Sequence, residues 1–201
     1  MFAYCNNCPL LFSDPSGYSI VFSPNDSDED IEEALTYLRR LSNDIIIVVD
    51  NQLQILSFRQ GGHAAGTQML RELILSNHTV TINSTTSGFS QYTPHAEYVE
   101  VNGRWEKQPV TAPVGGVVSL NFGDKRLNGE SRAMVVGHEL IHAWRFSNSF
   151  SLLKNPNEII SRFNCILEEV YTVGLDPINY YSIYCENALR REHGLSIRTL
   201  Y

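Results

Sequence analysis

Apolar positions recur along this chain with two periods. Residues 18–23 (YSIVFS) are rich in β-branched and aromatic side chains and predict a strand. From Ser27 the period lengthens. Ile31, Ala34, Leu35, Leu38 and Leu41 fall on one face of a helix, and Ser27 with Asp30 three residues on forms a capping box. The acidic residues Asp28, Glu29, Asp30, Glu32 and Glu33 gather at that helix's positive end, where its dipole favours them. Ile45–Val49 and residues 53–58 predict paired strands around Asp50-Asn51, followed by a short helix over 67–75 and a strand over 79–83. Tyr98–Val101 and Arg104–Lys107 flank Asn102-Gly103, a pair that supplies the positive φ of a tight hairpin turn. Residues 117–122 form one more strand, and from Ser131 onward the pattern is mainly helical. A mixed, β-rich first two-thirds followed by a helical last third predicts an α+β fold in a single domain over 18–201. Residues 1–17, rich in Asn, Ser and Pro, form a loose segment ahead of it.

Composition narrows the functional classes. The 201 residues are 43% hydrophobic and 18% charged, enough apolar material for one core. A net charge of −7 leaves no basic face for nucleic acid or for anionic lipid. No apolar run is long enough to span a membrane, and the first residues lack the pattern of a Sec signal. Cys5 and Cys8 form a lone C-x-x-C with no second pair, which excludes a four-cysteine zinc site and favours free thiols.

The chemistry lies in Val135-Val-Gly-His138-Glu139-Leu-Ile-His142-Ala-Trp144. Two His and one Glu interrupt an apolar helix that would not accept them unpaired. His138 and His142 stand at i and i+4, on one face, where both can bind zinc. Glu139 projects one residue round, towards a zinc-activated water rather than the metal. This is the H-E-x-x-H arrangement of zinc peptidases. Arg145 and Asn148 occupy the Gly and third-His positions of the extended H-E-x-x-H-x-x-G-x-x-H pattern, so the third ligand comes from elsewhere. Glu168 and Glu169, on a second helical stretch, are the candidates, and residue chemistry does not choose between them. His63, His78, His95 and His193 read as non-ligands, His193 having the best rival claim. Cys165 and Cys185 read as buried fillers.

The stations His138-Glu-Leu-Ile-His-Ala143, Glu168-Glu169-x-x-Thr172-x-Gly174-Leu175 and Glu186-Asn187-x-x-Arg190-x-Glu192-His193-Gly194-Leu195-x-x-Arg198-x-x-Tyr201 resemble the NleD-like peptidases. These are effectors that bacteria inject into host cells by type III secretion. The same stations are similar, less closely, to the light chains of clostridial neurotoxins. The match covers residues 131–201. It implies a zincin-like metallopeptidase in which Glu169 completes a His138, His142, Glu169 zinc set and Glu168 plays a supporting part. It also implies that Glu186 supports the site and that Arg198 and Tyr201 donate to the oxyanion. The last helix would then turn Glu186 inward and Arg190 and Arg191 to solvent, with Leu195 or Leu200 anchoring the tail.

The reaction so implied is zinc-assisted hydrolysis of a peptide bond in a target protein, with Glu139 as general base. The strand over 117–122 is the expected edge against which substrate lies extended. The resemblance points to a host-cell protein substrate, a MAP kinase being the best single guess, and to non-Sec export into the host cytosol. Two other readings compete. One is a zinc-binding interaction protein or catalytically inactive effector; the other is a bacterial peptidase acting on self or cell-wall targets.

Overall fold

The computed structural model describes residues 20–96, 98–101, 104–107, 110, 112–123, 128–148, 159–160, 165–175 and 184–200. The expectations for residues 1–17, Cys5, Cys8, the Asn102-Gly103 turn and Tyr201 lie outside them, as does the Cys165 side chain. In chain order the elements are β1 (Ile20–Phe22), α1 (Asp28–Leu41), β2 (Ile45–Val49), β3 (Gln52–Ser57), α2 (Ala64–Ile74), β4 (Val80–Thr85) and β5 (Gln91–Pro94). There follow β6 (Tyr98–Val101), β7 (Arg104–Lys107), β8 (Gly116–Asn121), α3 (Gly129–Ser147), β9 (Ile159–Ile160), β10 (Cys165–Ile166), α4 (Leu167–Val173) and α5 (Glu186–Glu192). The α+β class is as expected.

Local signals act where the sequence puts them. Ser27 accepts the Asp30 N–H and Asp30 returns a bond to the Ser27 backbone, closing the capping box that starts α1. Asp50 and Asn51 both take positive φ, 49° and 61°, which makes the tight β2–β3 turn. Strands β6 and β7 pair antiparallel with Val101 opposite Arg104.

The main sheet has six strands in the order β2-β3-β1-β4-β8-β5. Strands β1, β4 and β8 run parallel at its centre. Register places Phe22 beside Ile82 and Ile82 beside Val118, and all three side chains are buried. A one-residue slip would turn this row away from the core. The order corrects one expectation. Strand β8 is interior, because β5 returns antiparallel alongside it, Tyr92 opposite Val118, so β5 is the edge.

Helix α3 is the hub of the molecule, touching α1, α2, α4, α5, β5 and β8. It is capped by Asn128, whose side chain accepts the Ser131 N–H. Helix α5 approaches closely because Gly137 leaves a notch. A Cβ there would meet Leu189 Cδ1 at 2.5 Å. Helix α2 begins three residues before the predicted start. The carboxylate of Glu192, on α5, accepts the Ala65 and Gly66 N–H groups of its open first turn. The region after α3 is not wholly helical, since β9 and β10 form a two-stranded ladder, Ile166 opposite Ile159. Short apolar runs such as these carry no period long enough to separate strand from helix.

Candidate metal centre

Two helices converge on one point. His138 and His142 project from α3, and Glu169 projects from the first turn of α4. The two imidazole Nε2 atoms lie 3.2 Å apart. Glu169 Oε2 is 3.1 Å from His138 Nε2, and its Oε1 is 3.2 Å from His142 Nε2. Among the described residues, this is the group of His, Cys, Asp and Glu side chains close enough to share a metal ion. His63, His78, His95 and His193 do not join it. His193 Nδ1 lies 3.2 Å from Glu130 instead, and its ring packs against His63.

The other ring nitrogens fix the tautomers. His138 Nδ1 sits 3.0 Å from Glu186 Oε2 and His142 Nδ1 sits 3.2 Å from Glu168 Oε1, so each Nδ1–H donates to a carboxylate. Both Nε2 lone pairs then face the Glu169 carboxylate. Three acceptors pointed at one another repel unless a cation stands between them. Glu169 Oε2 carries the mark of this: it is buried and makes no hydrogen bond. The spacing fits zinc, for which tetrahedral N and O donors stand about 3.3 Å apart.

The surroundings favour positive charge at the centre. Burial alone would lower the His138 imidazole, but Glu169 and Glu186 raise it to about 10, so without a metal ion a proton takes the cation's place between Nε2 and Glu169. Burial would raise the Glu169 carboxyl, and the two imidazoles hold it below the usual carboxylate range. Glu139 behaves differently. Burial pushes its carboxyl up against the pull of His138, His142 and the Tyr92 backbone N–H of β5. It lines, with His138, a cleft of about 470 Å³ whose wall includes Phe89, Met134, Glu186, Arg190 and Arg198.

Glu168 faces away from the convergence point. It is 4% exposed and takes both Arg145 Nε, at 2.8 Å, and Arg145 Nη2, at 3.1 Å. Arg145 is one of the two residues, with Asn148, that break the longer histidine motif. The signal for its ion pair was present, since a charged side chain inside an apolar helix needs a partner. Thr172, unassigned from the sequence, sets its hydroxyl 3.2 Å from His142 Nδ1.

Glu186 is turned inward as expected, and it also gathers cations. Arg198 Nη1 lies 3.1 Å from its Oε2 and Arg190 Nε lies 2.9 Å from its Oε1. Arg190 therefore folds back into the cleft instead of facing solvent, because a buried carboxylate lies one turn before it. Arg191 is exposed as predicted. Leu195 packs against the core, whereas Leu200 is 69% exposed and anchors nothing. Asn187 does the anchoring: its Oδ1 accepts the Arg198 N–H at 2.7 Å and its Nδ2 donates to the Arg198 carbonyl at 2.9 Å. Cys185 is half-buried with its sulfur against Gly174.

A family model, Peptidase M91, described as effector protein, matches residues 59–201. The chain belongs to this family. Peptidase M91 is the NleD-like effector family, and the match reaches back through β8, β4 and α2, well before residue 131. Membership makes the chain an effector of a metallopeptidase family, with protein as its substrate class. No curated protein and no solved structure matches the chain. No described helix is long and apolar enough to cross a membrane.

Proposed function

We propose that this Peptidase M91 member is a zinc-dependent endopeptidase. The observation that carries the reading is the convergence of the His138 and His142 Nε2 atoms with the Glu169 carboxylate, Nδ1 of each ring being tied to another carboxylate. Zinc held by these three side chains would activate a water and polarise the scissile carbonyl. Glu139 then accepts the proton of the attacking water and returns it to the leaving nitrogen. Its burial favours the protonated form that makes the return possible. Glu186 orients His138 and holds Arg198 at the cleft wall. Arg198 and Tyr201 donate to the oxyanion, as the family resemblance implies. Substrate lies extended along β5, the edge strand that packs against α3.

The substrate is a host-cell signalling protein, with MAP kinases the first to test, reached after non-Sec export into the host cytosol. The test is incubation of the zinc-loaded protein with host-cell lysate and mapping of new protein N-termini. New termini should appear with the wild type and not with Glu139→Gln, while both proteins retain zinc. Equal cleavage by the variant sinks the mechanism. Cleavage of lysate proteins other than MAP kinases removes that target and leaves the peptidase.

A further inference from the structure

At one wall of the cleft two guanidiniums share a carboxylate. Arg190 and Arg198 both reach the single carboxylate of Glu186, which His138 Nδ1 shares. Of the other carboxylates that line the cleft, Glu139 sits beside the metal centre, and Glu130 is already engaged, with Arg40 on Oε1 and His193 Nδ1 on Oε2. Arg190 spends only Nε on Glu186. Among the described residues its two terminal nitrogens donate to no hydrogen bond, and the residue lines the same cleft as His138 and Glu139. A guanidinium held by one edge presents its remaining donors as a fixed fork, the geometry that pairs with a carboxylate.

We propose that Arg190 is a substrate-binding residue that recognises a carboxylate of the polypeptide lying in the cleft, so that acidic sequences are preferred. The chain as a whole carries −7, which repels acidic ligands at long range. A preference for them would therefore come from this wall. The carboxylate could belong to an Asp or Glu side chain or to a chain terminus, and both present the same planar pair of oxygens. The proposal rests on the peptidase reading only in taking the ligand to be a polypeptide.

Binding tests it without turnover. The zinc-loaded Glu139→Gln protein is titrated with fluorescein-labelled, C-terminally amidated peptide pools that carry either Asp and Glu or Lys at the same randomised positions. The acidic pool should bind about tenfold more tightly or better, the size of one charge-assisted contact. Arg190→Gln on that background should erase the difference, and Arg190→Lys should keep part of it. The same pools with free C-termini separate the sources, since a gain confined to them identifies a terminal carboxylate. Equal binding of acidic and basic pools, with amidated and free termini alike, overturns the proposal, as does a preference that Arg190→Gln leaves intact. Loss of zinc in Arg190→Gln overturns it too, because Arg190 would then act through Glu186 on His138. An acidic preference in a protein whose wild-type form cleaves nothing leaves this inference standing and removes the peptidase. Cleavage with no preference does the reverse.

Discussion

Glu168 and Glu169 are neighbours in the sequence, yet they face different charges. Residue chemistry reached only the pair, because either carboxylate can ligate zinc. What separates them is Arg145, 23 residues upstream, whose guanidinium takes Glu168 by both oxygens. A contact between α3 and α4 is invisible in a linear string. The division has measurable consequences of opposite kind. Glu169→Ala should lose zinc to a chelator far more readily than the wild type while unfolding at nearly the same temperature. Glu168→Ala should keep more of its zinc but lose about 3–5 kcal/mol of stability, because it strands the buried Arg145 charge. Chelator titration and thermal melts on both variants decide the assignment. If Glu168→Ala proves the metal-poor one, the ligand set is wrong.

At the level of elements, side-chain clasps hold the site's pieces in place. Asn187 grips the backbone of Arg198 at both N–H and carbonyl, which fixes the tail eleven residues further on. If Arg198 donates to the oxyanion as proposed, Asn187→Ala should lower kcat about tenfold or more, with zinc content unchanged. A wild-type rate would show that the tail takes no part in catalysis. A second clasp joins β2 to α2. Asp44 receives Arg71 Nε and Nη2, both at 2.7 Å, and the Arg59 N–H. Burial alone would raise the Asp44 carboxyl, but Arg71 and the Arg59 N–H hold it below its ordinary value. A depressed carboxyl gives stability that is full above the unfolded-state pKa of about 3.9 and lost as pH falls through the lower folded value. Asp44→Asn should therefore cost about 2 kcal/mol at neutral pH, with its melting temperature converging on the wild type's below about pH 4. A constant gap down to low pH would mean that the clasp is not ionic. Neither clasp was legible beforehand, since Asn187 and Asp44 each find partners that only the fold brings near.

The whole molecule keeps its core apart from its chemistry. The row Phe22, Ile82 and Val118, together with Leu38, Leu41 and Leu70, is buried without help from the metal centre. Chelation should abolish any activity while leaving the far-UV circular dichroism close to that of the zinc-loaded protein, unlike a zinc finger, whose fold is its metal. Wholesale unfolding on chelation would favour a structural ion. Legibility follows the same division. The capping box, the Asp50-Asn51 turn and the i, i+4 histidines are local, so the sequence displays them. The placing of β8 inside the sheet depends on the antiparallel return of β5, a pairing between segments whose apolar periods are too short to declare partners. Arg190 was misjudged for a related reason: a helix-surface arginine looks solvated until the carboxylate one turn away proves to be buried.

The notch at Gly137 reaches further than its size suggests. Leu189 fills it, and Leu189 stands one turn beyond Glu186 on the same short helix. The approach of α3 and α5 thus leaves no room for a methyl group at residue 137, and the carboxylate beside His138 Nδ1 rides on the far wall. The orientation of His138 therefore rests on an apolar fit as well as on the polar atoms around its ring. A variant with every nitrogen and oxygen of the centre intact could still be metal-poor, and any effort to retune the site begins with the shape of residue 137.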